Sequence, residues 1–154
     1  MTEEIIKFDL GDVELLSGEK LTSAVLVAKT WGRLSAARDN VIVLPTYYTG
    51  THEGYAPLVG PGNVFDTNHY FVVSPNLFGN GLSTSPSNAI DSNSGPRFPQ
   101  VDVYDNVLCQ HRLLTESFDV TDIQLVAGWS MGAIQAFHWA VAFPDLVRRI
   151  LPWC

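Results

Sequence analysis

The sequence predicts an α/β layered fold with a largely parallel sheet, and three observations carry that reading. Runs such as "NVIVLP" and "HYFVVSPN" are short, β-branched and continuously apolar, as strands covered on both faces are. Stretches of helical period alternate with them, which is the pattern of a sheet built from strand-helix-strand units. Finally, "IQLVAGWSMGAIQAFHWA", Ile123 to Ala140, passes from an apolar strand into a serine held between two glycines and on into a helical pattern.

Composition narrows the class. At 154 residues, 46% hydrophobic and 16% charged, the chain suits one domain over residues 1–154 that buries roughly 70% of its unfolded surface. A net charge of -7, with nine scattered Lys and Arg, argues against a nucleic-acid partner, whose phosphates demand clustered cations. The opening "MTEEIIKF" is acidic where a secretory signal is basic, and no run approaches the eighteen or so apolar residues of a membrane span. A soluble, cytoplasmic protein with no membrane partner is expected. Cys109 and Cys154 form no CxxC or metal-ligand spacing, so free thiols, no metal and no cofactor are expected.

The elements follow in order. "VELLSG" and "KLTSAVLVAKTWG" read as a leading antiparallel ribbon, the second alternating around Val25 and Val27. "NVIVLP" and "HYFVVSPN" read as central parallel strands. The segment between them, and "LFGNGLSTSPSNAIDSNSGPRFPQ" after the second, are turn-rich; loops of this length are functional or mobile, and the second admits a disordered insertion as the alternative. From Val101, the residues Val103, Val107, Leu108, His111, Leu114 and Phe118 fall at helical spacing, with polar Asp105, Gln110 and Arg112 elsewhere. "IQLVAG" is another buried strand, Ala133 to Phe143 a helix stopped at Pro144, and "VRRILPW" the start of one more strand.

Gly128, Trp129, Ser130, Met131 and Gly132 match G-x-S-x-G, a turn so tight that the serine's backbone is strained and its hydroxyl projects. That turn supplies a nucleophile, Ser130. It also leaves the Met131 N–H at a helix start, free to stabilise an oxyanion. By chance the bare pattern arises in roughly one chain of this length in twenty, so the flanking strand and helix carry the argument; the alternative is an inert serine in a Gly-flanked turn. The second oxyanion donor belongs to the loop after the third strand, here "LPTYYTG", and the N–H of Tyr47 or of Tyr48 is the candidate. His52, just beyond, is either a site residue or a solvated loop histidine.

Four stretches, "TWGRLSAARDNVIVLPTYYTGTH", "LVGPGNVFDTNHYFVVSPNLFGNG", "RFPQVDVYDNVLCQHRLL" and "GWSMGAIQAFHWAVAFPDLVRRI", resemble the homoserine O-acetyltransferase family of α/β hydrolases, especially its homoserine acetyltransferase-like hydrolases. The resemblance covers most of the chain after Lys20. It implies acyl transfer through an acyl-serine at Ser130, from a small-molecule ester or acyl donor to water or an alcohol. "GWSMGA" and "GNGLSTSPSN" depart from the G-G-S-M-G-G and G-S-T-G-P of the acetyltransferases and lean toward ester hydrolysis.

In this fold the triad runs serine, acid, histidine along the chain. After Ser130 come only His138 and Asp145. His138 lies eight residues along the helix, roughly 12 Å of rise, and with Ile134, Phe137 and Val141 reads as part of a packed face; Asp145 reads as a turn residue. His52, His69 and His111 precede the serine and are expected to be structural. The chain therefore reads as an α/β-hydrolase fold ending near the sixth strand, with helices on both faces of its sheet and the catalytic acid and histidine absent. Self-association, or pairing with a C-terminal half, is expected of it. A non-catalytic fragment or binding module that keeps the acyl pocket is the alternative.

Overall fold

The computed structural model describes residues 2–90 and 92–154. Strand β1 (Glu3–Glu14) and strand β2 (Lys20–Trp31) form the leading ribbon, antiparallel from Glu3 opposite Trp31 to Glu14 opposite Lys20. The first strand therefore lies earlier than "VELLSG" suggested, and Leu15 to Gly18 is the turn, closed by the Gly18 N–H on the Leu15 carbonyl at 2.9 Å. Its polar composition hides it. β1 is an edge strand that presents the alternate residues Ile6, Phe8 and Leu10, and Val13 after the register shift at Gly11, to the core.

Strand β3 (Val41–Val43), β4 (Val59–Gly60), β5 (Phe65–Asp66), β6 (Phe71–Pro75), β7 (Ile123–Trp129) and β8 (Ile150–Trp153) follow. Six of these strands form one sheet in the order β1-β2-β6-β3-β7-β8, parallel from β6 to β8, while β4 and β5 pair separately. Helix α1 (Val103–Phe118) precedes β7, and helix α2 (Met131–Ala142) follows it. Successive residues of β3 serve opposite layers. Val41 and Val43 join Val107, Leu113 and Leu114 of α1 and Trp139 of α2, whereas Ile42 and Leu44 join Tyr55, Val59 and Phe65. Both long helices thus cover one face. The other is covered by the 3-10 helix His52–Leu58 and the β4-β5 pair.

The Ser, Thr and Asn of the second long loop have a structural use. Strand β6 pairs with β2 only from Ala28 to Trp31, which leaves the remaining inner edge of β2 with unpaired backbone groups. The loop supplies partners: the Val25 N–H donates to Thr84 Oγ1 at 2.7 Å, the Val27 N–H to Ser83 Oγ at 3.0 Å, and the Thr22 N–H to Asn93 Oδ1 at 2.8 Å. This segment is an ordered cover for the sheet edge rather than a disordered insertion; Asp91 within it lies outside the described residues.

Helix α1 starts at a reciprocal capping box. Asp102 accepts from the Tyr104 N–H at 2.9 Å and Asp105 from the Asp102 N–H at 2.8 Å. Asp105 and Gln110, placed off the apolar face by their polarity, are both buried. Asp105 also accepts from the Leu16 N–H at 2.8 Å, which ties the helix start to the ribbon. Among the described residues no helix is long and apolar enough to cross a membrane. Cys109 is buried and Cys154 exposed, both as free thiols.

Candidate active site

Ser130 sits between the end of β7 and the start of α2 with φ 54° and ψ -118°, a backbone conformation that L-residues rarely adopt. Holding it there costs about 1–3 kcal/mol, which the surrounding structure must offset. The two glycines make the turn sterically possible. A Cβ on Gly128 would stand 2.3 Å from the carbonyl group of Gly132, and one on Gly132 would stand 2.6 Å from the Pro45 carbonyl oxygen. Neither obstacle can move aside, since both are backbone.

Hydrogen bonds fix the turn from three sides. The Ser130 N–H donates to the Trp153 carbonyl of β8 at 2.9 Å, and the Ser130 carbonyl accepts from the Ala133 N–H at 2.9 Å. The third tie is Tyr55, which is buried. Its hydroxyl donates to the Pro45 carbonyl at 3.0 Å and accepts from the Trp129 N–H at 3.2 Å, so one phenol links the loop after β3 to the residue before the serine. Burial pushes this phenol up to about 12, and the bridge keeps its proton throughout the neutral range.

The loop after β3 runs beside this turn. A backbone turn closes it, with the Gly50 N–H on the Tyr47 carbonyl at 2.9 Å and Thr49 at φ 64°. The Tyr47 ring meets Trp129 edge-on at 4.8 Å and Tyr55 at 5.8 Å. A Cβ on Gly50 would stand 2.5 Å from that ring and one on Gly54 2.3 Å from its hydroxyl, so both glycines leave room for the Tyr47 side chain. Among the described residues neither the Tyr47 N–H nor the Tyr48 N–H donates a hydrogen bond, and the Met131 N–H, the first of α2, has no intrahelical carbonyl to reach. The three candidate oxyanion donors are thus without competing partners among the described residues.

A cleft of about 430 Å³ opens at the carboxyl ends of β3 and β6. Tyr48, Leu77, Phe78, Val101, Val103 and Met131 form much of its wall. Asn80 and Asn106 also line it, but their amides are engaged in the frame: Asn106 Oδ1 accepts from the Phe78 N–H at 2.9 Å, and Asn80 Nδ2 donates to the Gly50 carbonyl at 3.2 Å. Among the described residues no charged side chain lines this cleft. A larger hollow, about 580 Å³ around Arg33, Arg38 and His69, lies at the other end of the sheet, away from the serine.

Each histidine is held by other groups. His52 is buried rather than solvated: its Nδ1 is 2.9 Å from Asn76 Nδ2, its Nε2 is 3.2 Å from Glu53, and burial lowers its pKa. Asn76 Nδ2 can only donate, so Nδ1 is the acceptor and the proton sits on Nε2, facing Glu53. His111 lies flat on Phe143 at 3.9 Å between ring centres, and burial lowers its pKa too. His69 is exposed beside Asp66, and His138 faces Tyr104 with ring centres 6.2 Å apart. None of these histidines hydrogen-bonds Ser130, and Asp145 stands in the turn after α2.

The α2 face that reads as packed is open. Ile134, Phe137 and Val141 are 50%, 56% and 83% exposed. The apolar pattern marks a surface that requires cover but does not say whether these residues supply it.

Residues 39–151 match the alpha/beta hydrolase fold family. The chain belongs to that family. Its relatives include esterases and homoserine O-acetyltransferases. The ethyl acetate hydrolase of Pseudomonas veronii is 39% identical over 142 residues, which are 92% of this chain and 41% of that protein. The homoserine O-acetyltransferase of Thermobifida fusca is 34% identical over 153 residues, 89% of this chain and 40% of that one. Among solved structures, an acetylester hydrolase from Corynebacterium glutamicum superposes with a TM-score of 0.92 at 39% identity, over 96% of this chain and 43% of its own. The chain therefore spans well under half the length of the relatives it matches.

Proposed function

We propose that Ser130 is the nucleophile of an ester hydrolase that acts on small, uncharged esters through an acyl-serine. The observation that carries this reading is the strained Ser130 backbone between two glycines that tolerate no Cβ. In the reaction Ser130 Oγ attacks the ester carbonyl carbon while its proton passes to a base. The carbonyl oxygen becomes an oxyanion within reach of the Met131 N–H and the Tyr47 or Tyr48 N–H. Collapse expels the alcohol, and water then releases the acid. The likeness to esterases, 39% identity to the ethyl acetate hydrolase against 34% to the homoserine O-acetyltransferase, supports hydrolysis over transfer to homoserine.

The base and its orienting acid belong, in this proposal, to the length that the relatives have beyond this chain's share. The open Ile134, Phe137 and Val141 face and the free edge of β8 are where such a portion would dock. The test is a fusion of residues 1–154 to the remaining C-terminal portion of the Corynebacterium glutamicum relative. Acetate release from ethyl acetate, abolished by Ser130→Ala, is expected; a folded fusion without Ser130-dependent hydrolysis refutes the proposal. A second reading, a binding module that keeps the cleft, is favoured by one observation: no described histidine bonds Ser130. It predicts cleft binding without turnover in the same fusion.

A further inference from the structure

Two glutamines are completely buried, Gln110 in α1 and Gln135 one turn into α2, where an apolar residue would cost less. They form a directed chain. Trp139 Nε1 donates to Gln110 Oε1 at 3.0 Å, Gln110 Nε2 to Gln135 Oε1 at 2.7 Å, and Gln135 Nε2 to the Thr46 carbonyl at 2.8 Å. An indole N–H can only donate and a backbone carbonyl can only accept, so the two ends fix the orientation of both amides. The same Gln135 nitrogen also reaches the Met131 carbonyl at 3.3 Å. One side chain therefore holds the loop after β3 and the first turn of α2 together.

What it holds is the backbone on both sides of the serine. Peptide planarity points the Tyr47 N–H opposite to the Thr46 carbonyl, so bonding that carbonyl into the core aims the next amide away from Gln135. The Tyr48 N–H lies one peptide plane further on, and the Tyr47–Gly50 turn sets it. Thr46 is fully buried, and its Oγ1 accepts from the Leu77 N–H at 3.0 Å, so the anchor itself is fixed. We infer that Gln135, with its polarity set by Gln110 and Trp139, is a positioning residue that aims the second oxyanion N–H at the position the Ser130 adduct will occupy. The inference rests on the reading of Ser130 as nucleophile.

The test compares the full chain with Gln135→Met, which keeps the volume and removes the donor, and with Gln135→Glu. Phosphonylation of Ser130 by a neutral fluorophosphonate is expected to slow about 10- to 100-fold in Gln135→Met. That is less than or equal to the 10²–10³ lost when such a donor is removed outright. In Gln135→Glu the introduced carboxyl is buried against the Thr46 and Met131 carbonyls, which raises its pKa. While protonated it donates its O–H to Thr46 and still accepts from Gln110, so its rate relative to the parent chain should stay high at low pH and fall as pH rises through that raised value and the carboxylate comes to repel the carbonyl. A volume-filling role would give a ratio independent of pH. A second measurement needs no chemistry at the serine: in 1H–15N spectra, Gln135→Met should displace the Tyr47 and Tyr48 amide signals. If Ser130→Ala labels as fast as the parent chain, the nucleophile reading fails and the amide signals alone decide the role of Gln135. Unmoved Tyr47 and Tyr48 amides, or parental labelling by a folded Gln135→Met chain, overturns the inference.

Discussion

Replacing Tyr55 by Phe removes one oxygen and isolates the tie between the loop after β3 and the serine turn. The hydroxyl makes two hydrogen bonds, 3.0 Å to the Pro45 carbonyl and 3.2 Å from the Trp129 N–H, at a residue only 2% exposed. The ring itself, packed in the second core layer against Leu44 and Val59, stays in place. Each lost bond costs about 1 kcal/mol net, and a buried carbonyl left without a partner adds about 1–3 kcal/mol. Pro45 is buried, whereas Trp129 is partly open to water, so the carbonyl carries most of that penalty. The expected loss is about 3–5 kcal/mol, which for a chain of this size lowers the melting temperature by about 6–20 °C. Thermal and urea unfolding followed by circular dichroism measure it. A melting temperature within about 1 °C of the parent chain would refute the claim that this hydroxyl staples the turn.

Gly128→Ala should be more severe than Tyr55→Phe, because the added methyl meets Gly132 backbone at 2.3 Å and no flexible side chain can yield; loss of soluble, cooperatively folding protein is the readout. His52 and His111 are held neutral by burial, with folded pKa values below their usual 6.5, so the unfolded chain binds more protons than the folded one as pH drops. Their stability contribution is full above about pH 6.5 and is lost as pH falls through the lowered values; His52→Gln, measured by urea midpoints across that window, should flatten the decline. The joint change Ile134→Gln, Phe137→Gln and Val141→Lys should reduce self-association in sedimentation without lowering the melting temperature, since these side chains face water; an unchanged sedimentation profile of an associating chain would show that another surface mediates it.

The serine turn was legible because its requirement is local and absolute: two glycines where a Cβ would strike backbone, an apolar run before and a helix after. The central strands were legible for a similar reason, since Val41 to Val43 and Phe71 to Val73 are buried on both faces and read as continuous apolar runs. Strand β1 was misplaced because an edge strand needs only alternate apolar residues, and the charged Lys7 and Asp9 between them dilute the signal. Gln110 and Gln135 were unreadable, as polarity in a helix normally marks the wet side; only the pairing of two helices shows that these amides satisfy one another in the core. His52 looked like a solvated loop residue because its partner Asn76 lies 24 positions away, beyond the reach of any local pattern. The exposure of Ile134, Phe137 and Val141 was equally invisible, for an apolar stripe states a need for cover and not whether the chain provides it.

The most direct test of the central claim, that Ser130 is an acyl-accepting nucleophile, is a peptide map of the chain after exposure to a fluorophosphonate. A single slow adduct on the peptide carrying Ser130, absent in Ser130→Ala, is predicted; it should form slowly because no described histidine is placed to take the serine's proton. An adduct elsewhere, or the same labelling in Ser130→Ala, would contradict the account.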